Sequence, residues 1–532
     1  MYAFFTYNLV IKNDWRINMN KRNYKGITLI ALVITIIVLL ILAGVSIQTL
    51  VGENGIINRV SKTKESMLIA REKEEIKLAI GGALIDGDGI LIDGYLRNEI
   101  KSYDNLKIEN LSGNNPWLYQ GKKTYTIDKY GTVLEGVYSV WDGHSQEMPD
   151  IRSEKGKYNW YIYTCAQFKF LEQFVNNGYK LTDEQKDLIN DSYSEEDFVL
   201  NEESTVFLMS NLDLGAREIN DVWKNDENGE REWIPIGKIL DCKFTATFEG
   251  NHFIINGVYI NADSNTVGVF GYTRCIKNVT VQNSYIEGRT RTGSVAGYSE
   301  YMYDCHNINT EVTLKEGEYH TVGGIVGYFS GELLSKCTNN GKVNAKGKSA
   351  SDNSQAGGIV GYVTNISLIE ECENYGEIRA IGNRVAGIAG QNNAKGINKC
   401  FNYGEISSDG MYVGGISGMA NGTDAENFMK IKDCENNANV RGGAVVGGIT
   451  GHENNNTDIE NCKNTGDIKS GGLTSITSNS AGGIAGSGYG AIKECTNSGK
   501  VEANQAHRWN RAGGIVGWYR SKFERKANRK MQ

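Results

Sequence analysis

The stretch Ala356-Gly357-Gly358-Ile359-Val360-Gly361, followed by Ile369-Glu370-Glu371-Cys372-Glu373-Asn374-Tyr375-Gly376-Glu377-Ile378, is one copy of a repeat in the second half of the chain. Its Gly-Gly-Ile-x-Gly half recurs at intervals of about 30 residues, a period typical of solenoids and other arrays. The copies end at Gly271, Gly297, Gly327, Gly361, Gly390, Gly418, Gly451, Gly486 and Gly517. This period takes precedence over local signals in predicting the fold.

Each half of the repeat has a residue pattern that predicts a structural role. The first half offers one aliphatic side chain to an interior, with glycines where backbones approach closely or turn with positive φ. The second half carries aliphatic residues three before its cysteine, at Leu334, Ile369, Ile397, Ile431, Ile459 and Ile492, and six after it, at Val343, Ile378, Ile406, Val440, Ile468 and Val501. Asparagine stands two places after most of the cysteines, as at Asn374 and Asn402. Asparagine can hydrogen-bond along a stack, so we expect an asparagine ladder at a corner, with a bend before the cysteine.

Short strands recurring in each repeat favour a mainly β protein, a parallel β-helix (solenoid) of about nine coils over residues 251–518. The exposed first rung of such a rod needs a cap, which we assign to residues 161–250 with their helix at 165–175 and their tryptophans. A β-propeller is the alternative, although its blades generally need 40 or more residues.

Ten cysteines raise the question of disulfides or a metal site. Eight of them fall once per repeat, which indicates rungs of one structural ladder: Cys275, Cys305, Cys337, Cys372, Cys400, Cys434, Cys462 and Cys495. Stacked side chains point in parallel, so we favour reduced thiols over disulfides between neighbours about 4.8 Å apart. Zinc ligands come in close pairs such as C-x-x-C, and the sequence has none. We expect no metal and no cofactor.

Residues 27–47, ITLIALVITIIVLLILAGVSI, carry no charge and are long enough to cross a bilayer of about 30 Å as a helix. Lys21, Arg22 and Lys25 precede this segment and predict a cytoplasmic N-terminus. The protein is therefore expected in the cell membrane as a single-pass protein, with the bulk of the chain extracytoplasmic at the cell surface. A plain signal anchor would meet the same description.

The stretch Lys25-Gly26-Ile27-Thr28-Leu29-Ile30 resembles the leader and cleavage site of type IV prepilins. The resemblance implies cleavage between Gly26 and Ile27 by a prepilin peptidase, methylation of the new N-terminus, and other pilin-like subunits as partners. Residues 1–26 would be the leader, with a more typical start at Met19. The family carries glutamate at the fifth mature position, where this chain has Ala31, which puts polymerisation into a major pilus in doubt.

The remaining segments follow from composition. Residues 27–80 are assigned to the transmembrane and pilin-like long helix, residues 81–135 to a small pilin-like β region, and residues 136–160, which are polar and lack periodicity, to a linker. Residues 519–532 form a basic tail that fits an anionic wall polymer or membrane surface, and a truncated or frameshifted C-terminus is the alternative origin of this tail.

The units at 323–328 and 357–362, together with the Trp-x-Pro-Ile-Gly and Phe-x-Gly-Asn elements before them, resemble the GLUG-motif repeats of bacterial surface proteins. The resemblance covers about residues 205–518. Such repeats occur in adhesin-like proteins and beside the catalytic domains of immunoglobulin A proteases, so the resemblance implies a surface location and no particular activity.

These observations favour a membrane- or pilus-anchored adhesin-like protein that binds an unidentified cell-surface or glycan ligand. The alternatives are a minor pilin-like assembly or secretion component with the solenoid as spacer, and a β-helix carbohydrate-active enzyme. The net charge of −7 without a basic stripe argues against a nucleic-acid partner. H-E-x-x-H is absent, and acids such as Glu370, Glu371, Glu377 and Glu405 alternate with lysines, so we predict no catalytic residues.

Overall fold

The computed structural model describes residues 56–519, except 101–106, 111–116, 128–130, 155, 191, 220–221, 225–231, 318–319, 348, 351, 365–366, 423–428, 455, 472–477 and 505–508. The chain divides into two compact units, Met1–Leu78 and Ala79–Gln532. The predicted leader, the cleavage site at Gly26 and Ile27, the segment 27–47 and the basic tail beyond residue 519 lie outside the described residues. Among the residues that are described, no helix combines the length and apolar character needed to cross a bilayer.

The elements before the array include helices and small antiparallel sheets. The α-helices are Ile56–Asp86, Asp93–Ile100, Cys165–Asn176 and Asp183–Lys186, and two short 3-10 helices are Glu195–Asp197 and Leu240–Cys242. A four-stranded antiparallel sheet contains, in spatial order, Lys107–Asn110, Trp117–Gln120, Thr124–Ile127 and Val133–Glu135. A separate hairpin pairs Arg217–Ile219 with Val222–Lys224.

The rest of the chain winds into a parallel β-solenoid with three faces, which we call sheets 1, 2 and 3. One coil shows the path: Gln355–Gly357 lies in sheet 3, Val360–Val363 and Leu368–Glu370 in sheet 1, and Glu373–Asn374 and Ile378–Ile381 in sheet 2. The strands of successive coils pair in parallel, as Ile369 does with Ile397, whereas Asp150–Glu154 pairs antiparallel with Lys157–Ile162 at the start of sheet 1. Every inner rung therefore has its backbone hydrogen bonds satisfied from both sides.

Sheet 1 is the longest face. Its strands are Asp150–Glu154, Lys157–Ile162, Thr205–Leu208, Phe244–Glu249, Phe270–Lys277, Ala296–Tyr303, Val326–Ser335, Val360–Val363, Leu368–Glu370, Ala389–Asn392, Gly396–Asn398, Ser417–Ala420, Met429–Lys432, Thr450–Glu453, Thr457–Glu460, Ala485–Gly488, Ile492–Lys493 and Val516–Tyr519. In the first coils one long strand covers the face, and from Val360 onward two short strands share it.

Sheet 2 follows sheet 1 in each coil. Its strands are Tyr138–Val140, Asn211–Asp213, Ile254–Asn256, Tyr259–Asn261, Thr280–Gln282, Tyr285–Gly288, His306–Gly317, Thr338–Gly347, Glu373–Asn374, Ile378–Ile381, Phe401–Asn402, Ile406–Ser408, Glu435–Asn436, Val440–Gly442, Lys463–Asn464, Ile468–Ser470, Thr496–Asn497 and Val501–Ala503.

Sheet 3 closes the coil and carries the Gly-Gly of the repeat. Its nine strands are Thr266–Val267, Arg291–Gly293, Thr321–Gly323, Gln355–Gly357, Arg384–Ala386, Tyr412–Gly414, Val445–Gly447, Ser478–Gly482 and Trp509–Gly513. These nine strands delimit about eight complete turns of chain. The predicted mainly β, parallel solenoid is thus confirmed, preceded by helices and small sheets.

The aliphatic residues of the repeat form two stacks inside the coils. The residues three before the cysteine, such as Ile369 and Ile397, pack in the main core with the cysteines. The residues six after it, such as Ile378 and Ile406, pack in a second core against Val385 and its counterparts in sheet 3. The two halves of the repeat therefore supply different walls of one interior.

The predicted bend before the cysteine is confirmed. The residue immediately before each cysteine from Cys305 onward has a positive φ, among them Glu371 at 54° and Lys399 at 50°. This left-handed residue turns the chain from sheet 1 to sheet 2. In a straight strand, residues three apart point to opposite faces. The bend explains why the aliphatic residue three places before the cysteine and the cysteine itself both point into the interior.

Residues 136–160 are not a linker. Tyr138–Val140 pairs in parallel with Asn211–Asp213, and Lys157–Ile162 pairs in parallel with Thr205–Leu208. Tyr138 and Trp160 are buried. Their strands are short and place polar side chains outward. The composition of the segment therefore resembles that of a linker, although some of its residues are buried. Strands that pair with those of sheets 1 and 2 therefore begin well before residue 161.

The helix Cys165–Asn176 supplies aromatic residues that continue the core into the first coils. Phe168 stacks on Trp233 with ring centroids 4.8 Å apart and reaches Phe248 at 6.1 Å. The buried Lys169 lies 2.5 Å from Glu172 and within 6 Å of two indole rings. This helix and the tryptophans around it occupy the part of the chain that was assigned to the cap.

Tyr138 makes the stability of this region dependent on pH. Burial, followed by the charges of Asp213 and Glu135, raises the pKa of Tyr138 from 10.0 to about 12. Below pH 10 the phenol is protonated in both states, so its contribution to stability is complete. Above pH 10 the unfolded chain ionises first, and the contribution is lost as the pH rises toward 12.

We expect Tyr138→Phe to flatten the fall in the free energy of unfolding between about pH 10 and pH 12. Urea unfolding at several pH values measures this fall. Tyr163→Phe is the matched control, because Tyr163 is exposed. A Tyr138→Phe variant with the pH dependence of wild type would contradict the assignment.

Candidate functional site

The repeat cysteines from Cys305 to Cys495 lie on successive coils at one corner. From Cys305 to Cys462, the carbonyl oxygen of each accepts a hydrogen bond from the residue that follows the next cysteine, as when the Phe401 amide donates to Cys372 at 2.9 Å. The Cys400 amide also lies 3.5 Å from the Cys434 sulfur. All ten cysteines of the chain are free thiols.

Two members of the predicted ladder differ from the rest. Cys275 is not a rung, because its strand runs on to the bend at Asn278 and pairs Cys275 with Tyr301 in sheet 1. Val279 takes the rung position, since its carbonyl accepts from the residue after Cys305. Cys495, on the last rung, is partly exposed, whereas the other nine cysteines are buried.

Burial sets the chemistry of this stack. Removal from water raises the pKa of the Cys372 and Cys400 thiols well above the usual value. At Cys495, the hydrogen bond with Cys462, together with burial, raises the pKa as well. Raised pKa values keep these three sulfurs protonated and weakly nucleophilic. These three thiols are therefore suited to packing and not to metal ligation or covalent catalysis.

An asparagine ladder runs beside the thiols, as predicted. Asn374 Nδ2 donates to Asn402 Oδ1 at 2.8 Å, Asn402 donates to Asn436 at 2.7 Å, and the pattern holds from Asn307 to Asn497. The same Asn402 amide also donates to the carbonyl of Gly404 at 3.1 Å. Six inter-amide bonds thus tie seven coils together inside the rod, where each bond is shielded from water.

The glycines of the first half pack against this ladder. A Cβ atom at Gly358 would overlap the carbonyl oxygen of Gly387, one coil on, and the side-chain amide of Asn374 in its own coil. The same overlap recurs at Gly387 with Asn402 and at Gly448 with Asn464. None of these glycines has a positive φ, so close approach is the reason for glycine here. Sequence reasoning offered both reasons and did not link the glycine to the asparagine.

The outer face of sheet 1 carries an aromatic row, defined as Tyr272, Tyr298, Tyr328 and Tyr362. These four side chains stand on successive coils with ring centroids 5.6, 5.6 and 4.9 Å apart. All four are half-buried. Burial raises the pKa of the last three phenols, so their hydroxyls remain hydrogen-bond donors at neutral pH.

Arg291 adds a cation to the aromatic row. Its guanidinium lies 4.6 Å from the ring centroid of Tyr328 and 5.9 Å from that of Tyr298. Beyond Tyr362 the same register continues through Gln391, Met419 and His452. Tyrosine and arginine are enriched at binding hot spots, since they combine a large apolar body with polar ends. The row was missed in the sequence analysis, although Tyr follows the repeat glycine in all four of these copies.

Several acidic residues of the array form ion pairs with lysines of neighbouring coils. Lys463 lies 2.7 Å from Glu435, and Glu460 lies 3.5 Å from Lys430 and 3.4 Å from Lys493. Among the described residues no group of three or more histidine, cysteine, aspartate or glutamate side chains could hold a metal ion. The predicted processing residues, Gly26 and Ile27, lie outside the described part of the chain.

Comparison with known proteins gives partial likenesses. No protein-family model matches the chain. A segment of 131 residues is 28% identical to halomucin from Haloquadratum walsbyi, which amounts to 24% of this chain and 1% of halomucin. A solved structure of a putative immunoglobulin A1 protease from Bacteroides ovatus is 18% identical, with a TM-score of 0.33, covering 69% of this chain and 85% of that one. These likenesses assign no activity, and the resemblances to prepilins and to GLUG-motif repeats stay predictions.

Proposed function

We propose that this chain is a membrane- or pilus-anchored, extracytoplasmic interaction protein of the adhesin kind, and not an enzyme. The aromatic row with Arg291 is the observation that carries the proposal. It places four tyrosines in register on an outer face, whereas the thiols, amides and aliphatic groups that recur from coil to coil point inward.

The anchor of the proposed protein is the segment 27–47, with processing at Gly26 and Ile27 by a prepilin peptidase if the prepilin resemblance holds. The resemblance of the array to GLUG-motif repeats agrees with a surface location. The pairing of array acids with lysines supports a non-catalytic role, because such surface pairs are ordinary solvated contacts.

A binding measurement on intact cells tests the proposal. Cells displaying the full chain are compared with cells displaying the double substitution Tyr298→Ser and Tyr328→Ser, on immobilised glycans and host glycoproteins. We expect wild-type cells to adhere to at least one surface and the variant to lose adhesion at least tenfold.

The matched control is the double substitution Tyr375→Ser and Tyr403→Ser. These two exposed rings also stack, 4.8 Å apart, but on sheet 2. Adhesion that survives loss of the aromatic row and fails with the control would move the binding face to sheet 2 and contradict the proposal. Wild-type cells that bind nothing would favour the alternative, an assembly or secretion component whose solenoid is a spacer.

A further inference from the structure

A cavity of about 230 Å³ opens where the four-stranded antiparallel sheet, the hairpin Arg217–Ile219/Val222–Lys224 and the corner of sheet 2 meet. It lies away from the aromatic row, which belongs to sheet 1. Its lining residues are Thr132, Leu134, Ala216, Arg217, Glu218, Trp223, Asn256, Asn283 and Asn309. The wall thus mixes one indole ring with amide, hydroxyl and carboxylate groups.

The hairpin contributes a carboxylate, Glu218, and an indole ring, Trp223, to the wall of the cavity. Glu218 and Trp223 are directly opposite in the antiparallel register, so both side chains leave the same face of the hairpin. Trp223 stacks on Tyr285, with ring centroids 6.2 Å apart, and Tyr285 in turn stacks on Tyr259. The indole is therefore a supported flat surface beside a carboxylate.

The amide wall is a second, outer ladder. Asn309 Nδ2 donates to Asn283 Oδ1 at 2.9 Å, Asn283 donates to Asn256 at 2.9 Å, and Asn256 donates to Asp213 Oδ1 at 2.9 Å. Asn283 and Asn309 have φ of 45° and 52°, the left-handed conformation that asparagine tolerates. Each of their amide groups has two N–H bonds, so donors remain for a ligand after the ladder is formed.

The charges of the cavity decide which ligands fit. Arg217 is already committed to the buried Asp213 carboxylate, with nitrogen–oxygen distances of 2.6 and 3.0 Å, and its Nε donates to Thr132 at 2.9 Å. Glu218 is exposed, and no described residue forms an ion pair or hydrogen bond with it. The negative charge of Glu218 is therefore uncompensated and disfavours phosphate or carboxylate ligands.

The indole nitrogen supplies an independent observation. Trp223 Nε1 is shielded from solvent, and no described residue accepts a hydrogen bond from it. Buried donors almost always have an acceptor, and each one without costs about 1–3 kcal/mol. Because Nε1 is shielded, an oxygen atom of a ligand in the cavity accepts from this donor only when the indole turns toward it.

We propose that this cavity binds one sugar residue of a neutral glycan. A pyranose ring offers a C–H face for the indole and hydroxyl groups that both donate to Glu218 and accept from the amides. The volume suits one ring and is below the range of about 300–1,000 Å³ of pockets for larger ligands. The proposal rests on the proposed function, because it gives the interaction protein its ligand class.

The test uses the full chain in detergent micelles and the methyl glycosides of glucose, galactose, mannose and N-acetylglucosamine, with adenosine as a planar competitor. Binding is read by saturation-transfer NMR and by tryptophan fluorescence. We expect at least one glycoside to bind with a Kd of about 1 mM, typical of weak single-residue recognition. Trp223→Ala should weaken it at least tenfold and the isosteric Glu218→Gln several-fold.

Val222→Ala is the matched control, since Val222 is exposed and adjacent to Trp223 on the same strand. If Trp223→Ala unfolds the hairpin, the change in glycoside affinity caused by Glu218→Gln still tests whether the cavity is the binding site. Binding of adenosine alone, binding of no glycoside, or glycoside binding unchanged in both variants would overturn the proposal. Glycoside binding that persists in the Tyr298→Ser/Tyr328→Ser variant separates the cavity from the aromatic row, so either idea can fail while the other stands.

Discussion

Gly358→Ala is expected to destabilise the solenoid by about 3 kcal/mol or more, the upper range for overpacking a close contact. The new Cβ would meet the Gly387 carbonyl of the next coil and the Asn374 amide, and neither can withdraw without breaking the ladder or the sheet. Alanine is otherwise compatible with the backbone there, because Gly358 does not have a positive φ. Urea unfolding of the full chain, followed by circular dichroism, measures the change.

The chain provides its own control at the same motif position. A Cβ at Gly514, the equivalent glycine of the last described repeat, would have no heavy atom of a described residue within 4 Å. Gly514→Ala should therefore change the free energy of unfolding by less than about 0.5 kcal/mol. Equal effects at Gly358 and Gly514 would mean that the glycine is selected by backbone conformation and not by the asparagine ladder.

Asn402→Ala is expected to cost about 3 kcal/mol. The substitution removes the bonds to Asn374 and Asn436, at 2.8 and 2.7 Å, from a fully buried position. It leaves an amide oxygen on Asn436 without its donor and an N–H on Asn374 without its acceptor. Each buried group left unpaired costs about 1–3 kcal/mol.

Asn439→Ala is the matched substitution on the outside of the same face. Asn439 is exposed, donates to Glu405 at 3.3 Å and accepts from the backbone amide of Asp467 at 3.1 Å, and water can replace both bonds. It should change stability by no more than about 0.5 kcal/mol. If Asn402→Ala were equally mild, the interior amides would not hold neighbouring coils together.

The repeat predicts much of this fold because its recurring aliphatic residues and cysteines are the residues that form the core. The spacing of Ile369, Cys372 and Ile378 defines two core stacks and the turn between them, and the structure places them so. The failure at Cys275 has a local cause. The bend comes seven residues after the repeat glycine both here, at Asn278, and in the next coil, at Asp304, but Cys275 stands only four residues after Gly271, so Val279 becomes the rung.

Features built from distant segments could not be predicted. The contact between Gly358 and Asn374 depends on how far apart two walls of a coil lie, which spacing alone does not give. The cavity beside Trp223 joins Thr132, a hairpin and Asn283, which are separated along the chain by up to about 150 residues. The strands at 138–140 and 157–162 were missed because short strands with one buried aromatic residue resemble a polar linker in composition.

The central claim is that the seven coils from Cys305 to Cys495 each contribute one cysteine to a single in-register stack, which is buried up to Cys462 and open to solvent at Cys495. Native labelling of the full chain with N-ethylmaleimide, resolved by peptide mass spectrometry, tests it most directly. We predict that Cys495 is modified at least tenfold faster than Cys372 and Cys400, though more slowly than in the unfolded chain, because its pKa is raised. Modification of Cys400 at the rate of Cys495, or disulfides between neighbouring rungs, would contradict the claim.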